Sequence, residues 1–260
     1  MKKRRIRPGR LIVEALSVLA GLIMLVPVYI VLVNAFKPYK EILTRTFRLP
    51  QSFYTENLTY VWTQMNYGRI LLNTIFCVVA VVCLAVVLSA MCGYKLSRAN
   101  DKKSKWILNL LLVSMIIPFQ SIMLPVYKIA YKMGFGDSLI GYVIVLVPLY
   151  APFAVFVYHG FIKSIPVALE ESAIIDGCGP FRVFFSIVFP LMKTSTASIV
   201  VLFALWVWND YTFPSLILRS NNMRTLTSAV YAFFSSYYTR WDYGLDSLTL
   251  AFLPFTLFFV

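Results

Sequence analysis

The chain has 260 residues, of which 60% are apolar and only 13% charged, yet it carries 24 Lys and Arg against 11 Asp and Glu, a net charge of +13. Soluble domains are about 45–50% apolar and about 25% charged, so these figures, with a mean hydropathy of +0.76, exclude a soluble fold, a disordered chain, collagen and a coiled coil, and leave an integral membrane protein. The surplus cations fit the flanks of membrane spans better than a nucleic-acid surface, and no DNA- or RNA-binding signature accompanies them.

A bilayer core of about 30 Å needs roughly 20 apolar residues of helix. The pattern predicts an all-α protein with six transmembrane helices at about 11–36, 70–94, 106–130, 138–160, 188–212 and 248–260. Residues 1–10 form a basic tail. The run from Leu11 to Phe36 is too long for a cleaved signal and lacks an Ala-x-Ala site, so it is expected to stay as an anchor. Lys and Arg concentrate at 2–10 and 95–105, which predicts a cytoplasmic N-terminus. The loops at about 37–69 and 213–247 then face outward, and a long loop at 161–187 faces inward. The last run reaches only Val260. It is too short to cross alone, and the native product is expected to continue by roughly 10–20 residues. Residues 11–260 are otherwise read as one membrane domain.

The span middles carry no Asp, Glu, Lys, Arg or His. That argues against ion-coupled transport, which places ionisable groups near the midplane. Pro27, Pro118, Pro125 and Pro148 interrupt the spans, and Gln120 lies inside the third. Freed carbonyls and a buried amide need partners, supplied either by a water-filled cavity or by helix packing. Trp208, Asn209, Asp210 and Tyr211 end the fifth span, where Asp210 is either a gate acceptor or an interface anchor. Cys77, Cys83, Cys92 and Cys178 show no CxxC spacing, and with a single His159 no metal site is expected. No GxxxxGK[ST], GxSxG or HExxH occurs, so no cofactor and no catalytic set is expected.

The inward loop is the most informative segment. Ser164 can cap a helix, Pro166 suits its first turn, and Glu170 and Glu171 suit its N-terminal dipole. Gly177 suits a left-handed stop, and Gly179-Pro180 blocks continuation. A short helix over about 166–176 follows. Leu169 and Ala173 fall on one face, and small Ser172 and Ala173 would admit a partner closely.

The pattern Glu171-Ser172-Ala173, then Asp176-Gly177, Ile187 and Pro190, resembles the EAA motif of permease subunits of ATP-binding-cassette importers. Ser172 stands where Ala is usual, and Phe189 where Leu is usual. Further likeness lies in Asn73-Thr74, Tyr94-x-x-Ser97-Arg98, Ile117-Pro118-Phe119-Gln120, Gly134-Phe135-Gly136-Asp137 and Trp208-Asn209-Asp210-Tyr211. Together these resemble the carbohydrate-importer branch, of the maltose and multiple-sugar type. The resemblance implies a type I importer permease fold, MetI-like, in a bacterial inner membrane. It implies a second permease, two cytoplasmic ATPase subunits and an extracytoplasmic solute-binding protein as partners. Glu170, Glu171, Ser172, Ala173, Asp176, Gly177 and Pro190 would then couple to the ATPase, and Gln120 with Trp208 to Tyr211 would line the pathway or gate. The function expected is a non-catalytic sugar permease subunit. An importer for a polyamine or amino acid is the nearest alternative, and an ion-coupled transporter or pore a distant one.

Overall fold

The structure is a computed structural model that describes residues 8–99, 101–234 and 240–259. The basic residues Lys2 to Arg7 and the terminal Val260 lie outside them. Among the described residues every regular element is helical. The chain divides into two compact units, residues 1–67 with 229–260, and residues 68–228.

The first unit holds α1 (Pro8–Asn34), α2 (Tyr39–Thr44), α3 (Glu56–Met65), the end of α13 (Leu226–Phe234) and α14 (Trp241–Phe259). α14 packs on α1, α2 and α3. Tyr60 stacks on Tyr243 at 4.5 Å, and the Tyr67 hydroxyl donates to the Leu250 carbonyl at 2.9 Å. Arg240 grips Asp242 through Nε and Nη2 at 3.0 and 2.7 Å. Beyond α1 the chain turns around Lys37, which is fully enclosed. Its Nζ donates to Asn34 Oδ1 and the Arg45 carbonyl, both at 2.9 Å, and to Thr46 O at 3.5 Å. Burial pushes the Lys37 pKa down, against the opposing charge of Glu41.

The sequence reading starts the sixth span near Leu248, whereas α14 starts at Trp241. Asp242 and Asp246 lower the hydropathy of its first turns, but both are enclosed within this unit, each 1% exposed. Polar residues absorbed by packing hide a helix start from a hydropathy count.

The second unit holds α4 (Tyr67–Arg98, from Gly68 on), α5 (Lys102–Ser114), α6 (Phe119–Lys132), α7 (Leu139–Ile162), α8 (Ala168–Ile175), α9 (Pro180–Val183), α10 (Phe189–Leu191), α11 (Lys193–Asn209) and α12 (Thr212–Ile217). Its core joins Cys77, Val81 and Ala85 of α4 to Tyr142 and Tyr158 of α7 and Phe203 of α11. In lipid, helices gain little from hiding apolar surface and associate through close packing, so small residues line their contacts. Ala85, Ala90 and Ala154 are each fully buried. At Gly93 an added Cβ would meet Tyr158 Cβ at 2.9 Å, so this crossing of α4 and α7 requires glycine.

Among the described residues three helices are long and apolar enough to cross a membrane: α1 from Val13, α4 and α7. Two more candidates are bent pairs. The expected continuous span at 106–130 is instead α5 and α6, bent by 106°. Pro118 sits at the break with ψ 131. It has no N–H to donate and disfavours helix at Ile117. The expected span at 188–212 is α11, which meets the preceding helical stretch, Pro180–Leu191, at 78°. A π-helical turn, Phe184–Val188, precedes Pro190, whose missing N–H loosens the ladder there.

Candidate functional site: the α8 loop and the far end of α11

The α8 loop forms largely as its residue types dictate. The helix runs Ala168–Ile175, one to two residues inside the expected bounds. Ser164 does not cap it; its hydroxyl donates back to the Phe161 carbonyl at 2.7 Å. The stop is as the glycine predicts. Gly177 has φ +81, Gly177 N donates to Ile174 O at 3.0 Å, and Cys178 N donates to Ala173 O at 2.9 Å. This pair of bonds is a Schellman closure, which satisfies two of the last carbonyls. Nothing lies within 4 Å of an added Cβ at Gly177, so φ alone penalises a side chain there. Gly177→Val should therefore cost about 1–3 kcal/mol and fray the last turn of α8. Faster amide exchange at Gly177 and Cys178 is the measurement, and unchanged exchange would refute it.

The helix divides its predicted residues between two faces. Glu171, Ser172 and Asp176 are exposed. Around them lie apolar side chains turned outward: Val167, Leu169, Ile174, Ile175 and Phe181, with Ile175 85% exposed. Glu170 and Ala173 face inward, 5% and 6% exposed. The expectation that Ala173 shares an outer face with Leu169 is thus corrected: Ala173 belongs to the core beside Ile165, Val183 and Phe184. Residues 170 and 173 are one helical turn apart, and burying one carries the other inward.

Glu170 has its partners within the chain. Oε1 accepts from Arg98 Nε at 2.8 Å and Nη2 at 2.5 Å, and Oε2 accepts from the Tyr94 hydroxyl at 2.8 Å. Arg98 Nη2 also donates to the Ile165 carbonyl at 2.9 Å. Tyr94 packs its ring 5.4 Å from Phe184. One carboxylate thereby joins α8 to the last turns of α4. Sequence reasoning noted Tyr94 and Arg98 as part of a likeness and missed this role. Their i, i+4 spacing was the available signal, since it puts both side chains on one face of α4.

The other end of this unit gathers the Trp208–Tyr211 segment. Asp210 is extended, φ −68 and ψ 118, and ends α11. Its Oδ2 accepts from the Tyr142 hydroxyl at 3.1 Å and its Oδ1 from Phe213 N at 3.3 Å, which ties it to α7 and to the first turn of α12. Asn209 donates back to the Leu205 carbonyl at 2.8 Å. The Trp208 carbonyl accepts from Thr227 Oγ1 at 2.5 Å. A cavity of about 500 Å³ lies at the α5–α6 break, lined among others by Pro118, Phe119, Tyr150, Phe153, Trp206 and Asp210. Of the predicted pathway residues Asp210 lines it; Gln120, Trp208, Asn209 and Tyr211 do not. Gln120 is exposed at the start of α6.

Two further polar joints close this end. Asn73 Nδ2, near the start of α4, donates to the carbonyls of Asn222 and Arg224 at 2.9 and 3.1 Å. Thr74 Oγ1 accepts from Leu226 N at 2.8 Å. Asp137, at φ 49, accepts from the backbone N–H groups of Arg219 and Ser220, both at 2.9 Å, and from the Ser220 hydroxyl. Those bonds, Ser220's above all, hold its carboxyl below the usual range. Among the described residues no group of three His, Cys, Asp or Glu could hold a metal.

The chain is 34% identical over 256 residues to a probable starch degradation products transport system permease protein, AmyC, of Thermoanaerobacterium thermosulfurigenes, covering 98% of this chain and 93% of that one. It is 30% identical to the melibiose/raffinose/stachyose import permease protein MelC of Bacillus subtilis, over 96% of this chain and 90% of that one. It shares its fold with a chain from the crystal structure of a bacterial ABC transporter involved in the import of the acidic polysaccharide alginate. That likeness has a TM-score of 0.84 at 19% identity and covers 100% of this chain and 96% of that one. Residues 85–260 match one family, described as binding-protein-dependent transport system inner membrane component. With more than half its length in that match, the chain belongs to this family, as a non-catalytic permease subunit of an ABC importer.

Proposed function

We propose that the chain is one of two permeases that form the pathway of an ATP-driven importer for a sugar or oligosaccharide. The observation that carries the substrate class is the set of saccharides named for its relatives: starch degradation products, diacetylchitobiose, and melibiose, raffinose and stachyose. Two cytoplasmic ATPase subunits and an extracytoplasmic binding protein complete the assembly. Six spans carry the chain across the bilayer, counting each bent pair as one and α14 as the sixth. The N-terminus is cytoplasmic, which puts α8 on the cytoplasmic side and Asp210 toward the outside.

In this reading α8 is the coupling helix. Its outward apolar residues, with Glu171 and Asp176 among them, support docking into a groove on the ATPase subunit. Gly177 and Pro190 fix where the helix stops and where the chain turns toward α11. ATP-driven closure of the ATPase pair displaces α8, and the spans exchange inward-open for outward-open access. Asp210 acts at the outer gate, where breaking its bonds to Tyr142 and Phe213 would free α12. Asp210→Asn should lower uptake several-fold while the complex still assembles. Loss of assembly would make Asp210 structural.

The test of function is uptake by the purified complex in proteoliposomes with its binding protein. Vanadate-sensitive entry of labelled oligosaccharide, competed by unlabelled sugar and not by a polyamine, is expected. Entry that ignores vanadate and collapses with an ionophore would overturn the reading.

A further inference from the structure

The joints at the two ends of α4 raise a question that docking alone does not answer: what moves when α8 moves. At the inner end, Glu170 is buried against Tyr94 and Arg98 and faces away from the surface that carries Glu171 and Ile175. At the outer end, Asn73 and Thr74 are buried, 8% and 1% exposed. They hold the carbonyls of Asn222 and Arg224 and the N–H of Leu226. The next residue, Thr227, bonds the Trp208 carbonyl two residues before Asp210. Between the two joints α4 is one unbroken helix, with no proline between residues 67 and 98. By contrast α5–α6 and the stretch leading into α11 are both bent.

We propose that α4 is a rigid strut linking the coupling helix to the outer gate, and that Glu170, Tyr94 and Arg98 at one end and Asn73 and Thr74 at the other are positioning residues for that transmission. Glu170 is then an internal pin and makes no contact with the ATPase. From Asn73 to Arg98 the helix rises about 38 Å, enough to cross a hydrocarbon core of about 30 Å. A continuous helix bonded at both ends passes an axial or tilting displacement with little loss, because its ladder hydrogen bonds resist stretching. A helix with a proline break would absorb the same displacement at the bend. The packed crossing at Gly93 guides the inner end against α7. The proposal deepens the transport reading and rests on it.

The experiment uses the complete complex with its binding protein and reads three quantities: ATPase subunit recovered, ATP hydrolysed and sugar taken up. Tyr94→Phe and Glu170→Gln weaken the inner joint. Asn73→Ala and Thr74→Val weaken the outer one, and Thr74→Ser keeps its acceptor oxygen. Tyr94→Phe and Thr74→Val change few atoms and test the idea where harsher variants misfold. Each weakening variant is expected to keep the ATPase subunit and its hydrolysis while uptake falls about tenfold, a coupling loss of ordinary size. Thr74→Ser is expected to restore uptake. Sites as far apart as Thr74 and Tyr94, about 30 Å along α4, normally act independently, so their effects multiply in rate. Two joints of one strut act in series, so the double variant Tyr94→Phe with Thr74→Val should be no worse than the weaker single. A multiplied loss in the double variant overturns the proposal, as does full uptake in both of those singles. Loss of the ATPase subunit from Glu170→Gln also overturns it, by making Glu170 a docking contact. A wild-type complex without vanadate-sensitive uptake overturns the transport reading itself, and this proposal with it.

Discussion

Replacing Arg98 by alanine is expected to destabilise the second unit by about 3–5 kcal/mol, the usual cost of stripping one member from a buried ion pair. Glu170 would keep its enclosed position and lose two of its three donors, Arg98 Nε and Nη2. The Ile165 carbonyl would lose Arg98 as well. The Tyr94 hydroxyl alone cannot neutralise a carboxylate. Arg98→Lys restores the charge but lacks the planar fork that serves Glu170 and Ile165 together, and should fall between wild type and alanine. Arg98→Met combined with Glu170→Met removes both charges at once and should recover most of the loss, because apolar replacement of a buried pair is often close to neutral. Thermal unfolding of the purified complex ranks the four proteins. An alanine variant as stable as wild type would mean that the pair is open to water and worth little.

The second large effect is expected at Glu171, on the exposed side of α8. Glu171→Ala leaves α8 folded, since that side chain is exposed. If its partner is a cation enclosed at the docked interface, truncation should cost about 2–5 kcal/mol, much of it from the cation left unpaired. That weakens ATPase association by roughly 30- to several-thousand-fold. Titration of the ATPase subunit onto the reconstituted permease pair measures it. An affinity unchanged within threefold would remove Glu171 from the interface. Ala173→Trp serves as a contrast. It would place an indole into the core beneath α8, where overpacking costs about 1–3 kcal/mol or more, and should lower stability as well as docking.

The helical class and the positions of α1, α4 and α7 are readable in hydropathy, because lipid requires long runs of apolar residues whose backbone bonds are satisfied within the helix. The breaks are less readable. Pro118 and Pro190 mark them, yet Pro27, Pro125, Pro148 and Pro152 lie inside helices that continue. Whether a proline bends or ends a helix depends on what packs opposite the freed carbonyl, and a linear sequence does not carry that. The stop at Gly177 is legible because only glycine takes a positive φ cheaply. The division of labour between Glu170 and Glu171 is not, because adjacent acids look alike until a cation far along the chain chooses between them. Arg98 is 72 residues from Glu170. Asp242 and Asp246 mislead in the other direction, since a charge count treats as polar a helix start that the fold has enclosed.

The cage around Lys37 has a consequence for chemical labelling. Acylating reagents attack the neutral amine, and burial already favours that form at this residue. Enclosure by Asn34 and the carbonyls of Arg45 and Thr46 nevertheless leaves no path for a reagent to reach Nζ. Modification of Lys37 therefore requires the segment between α1 and α2 to open first. Its rate, followed by peptide mass spectrometry beside an exposed lysine such as Lys40, becomes a clock for local unfolding of the first unit.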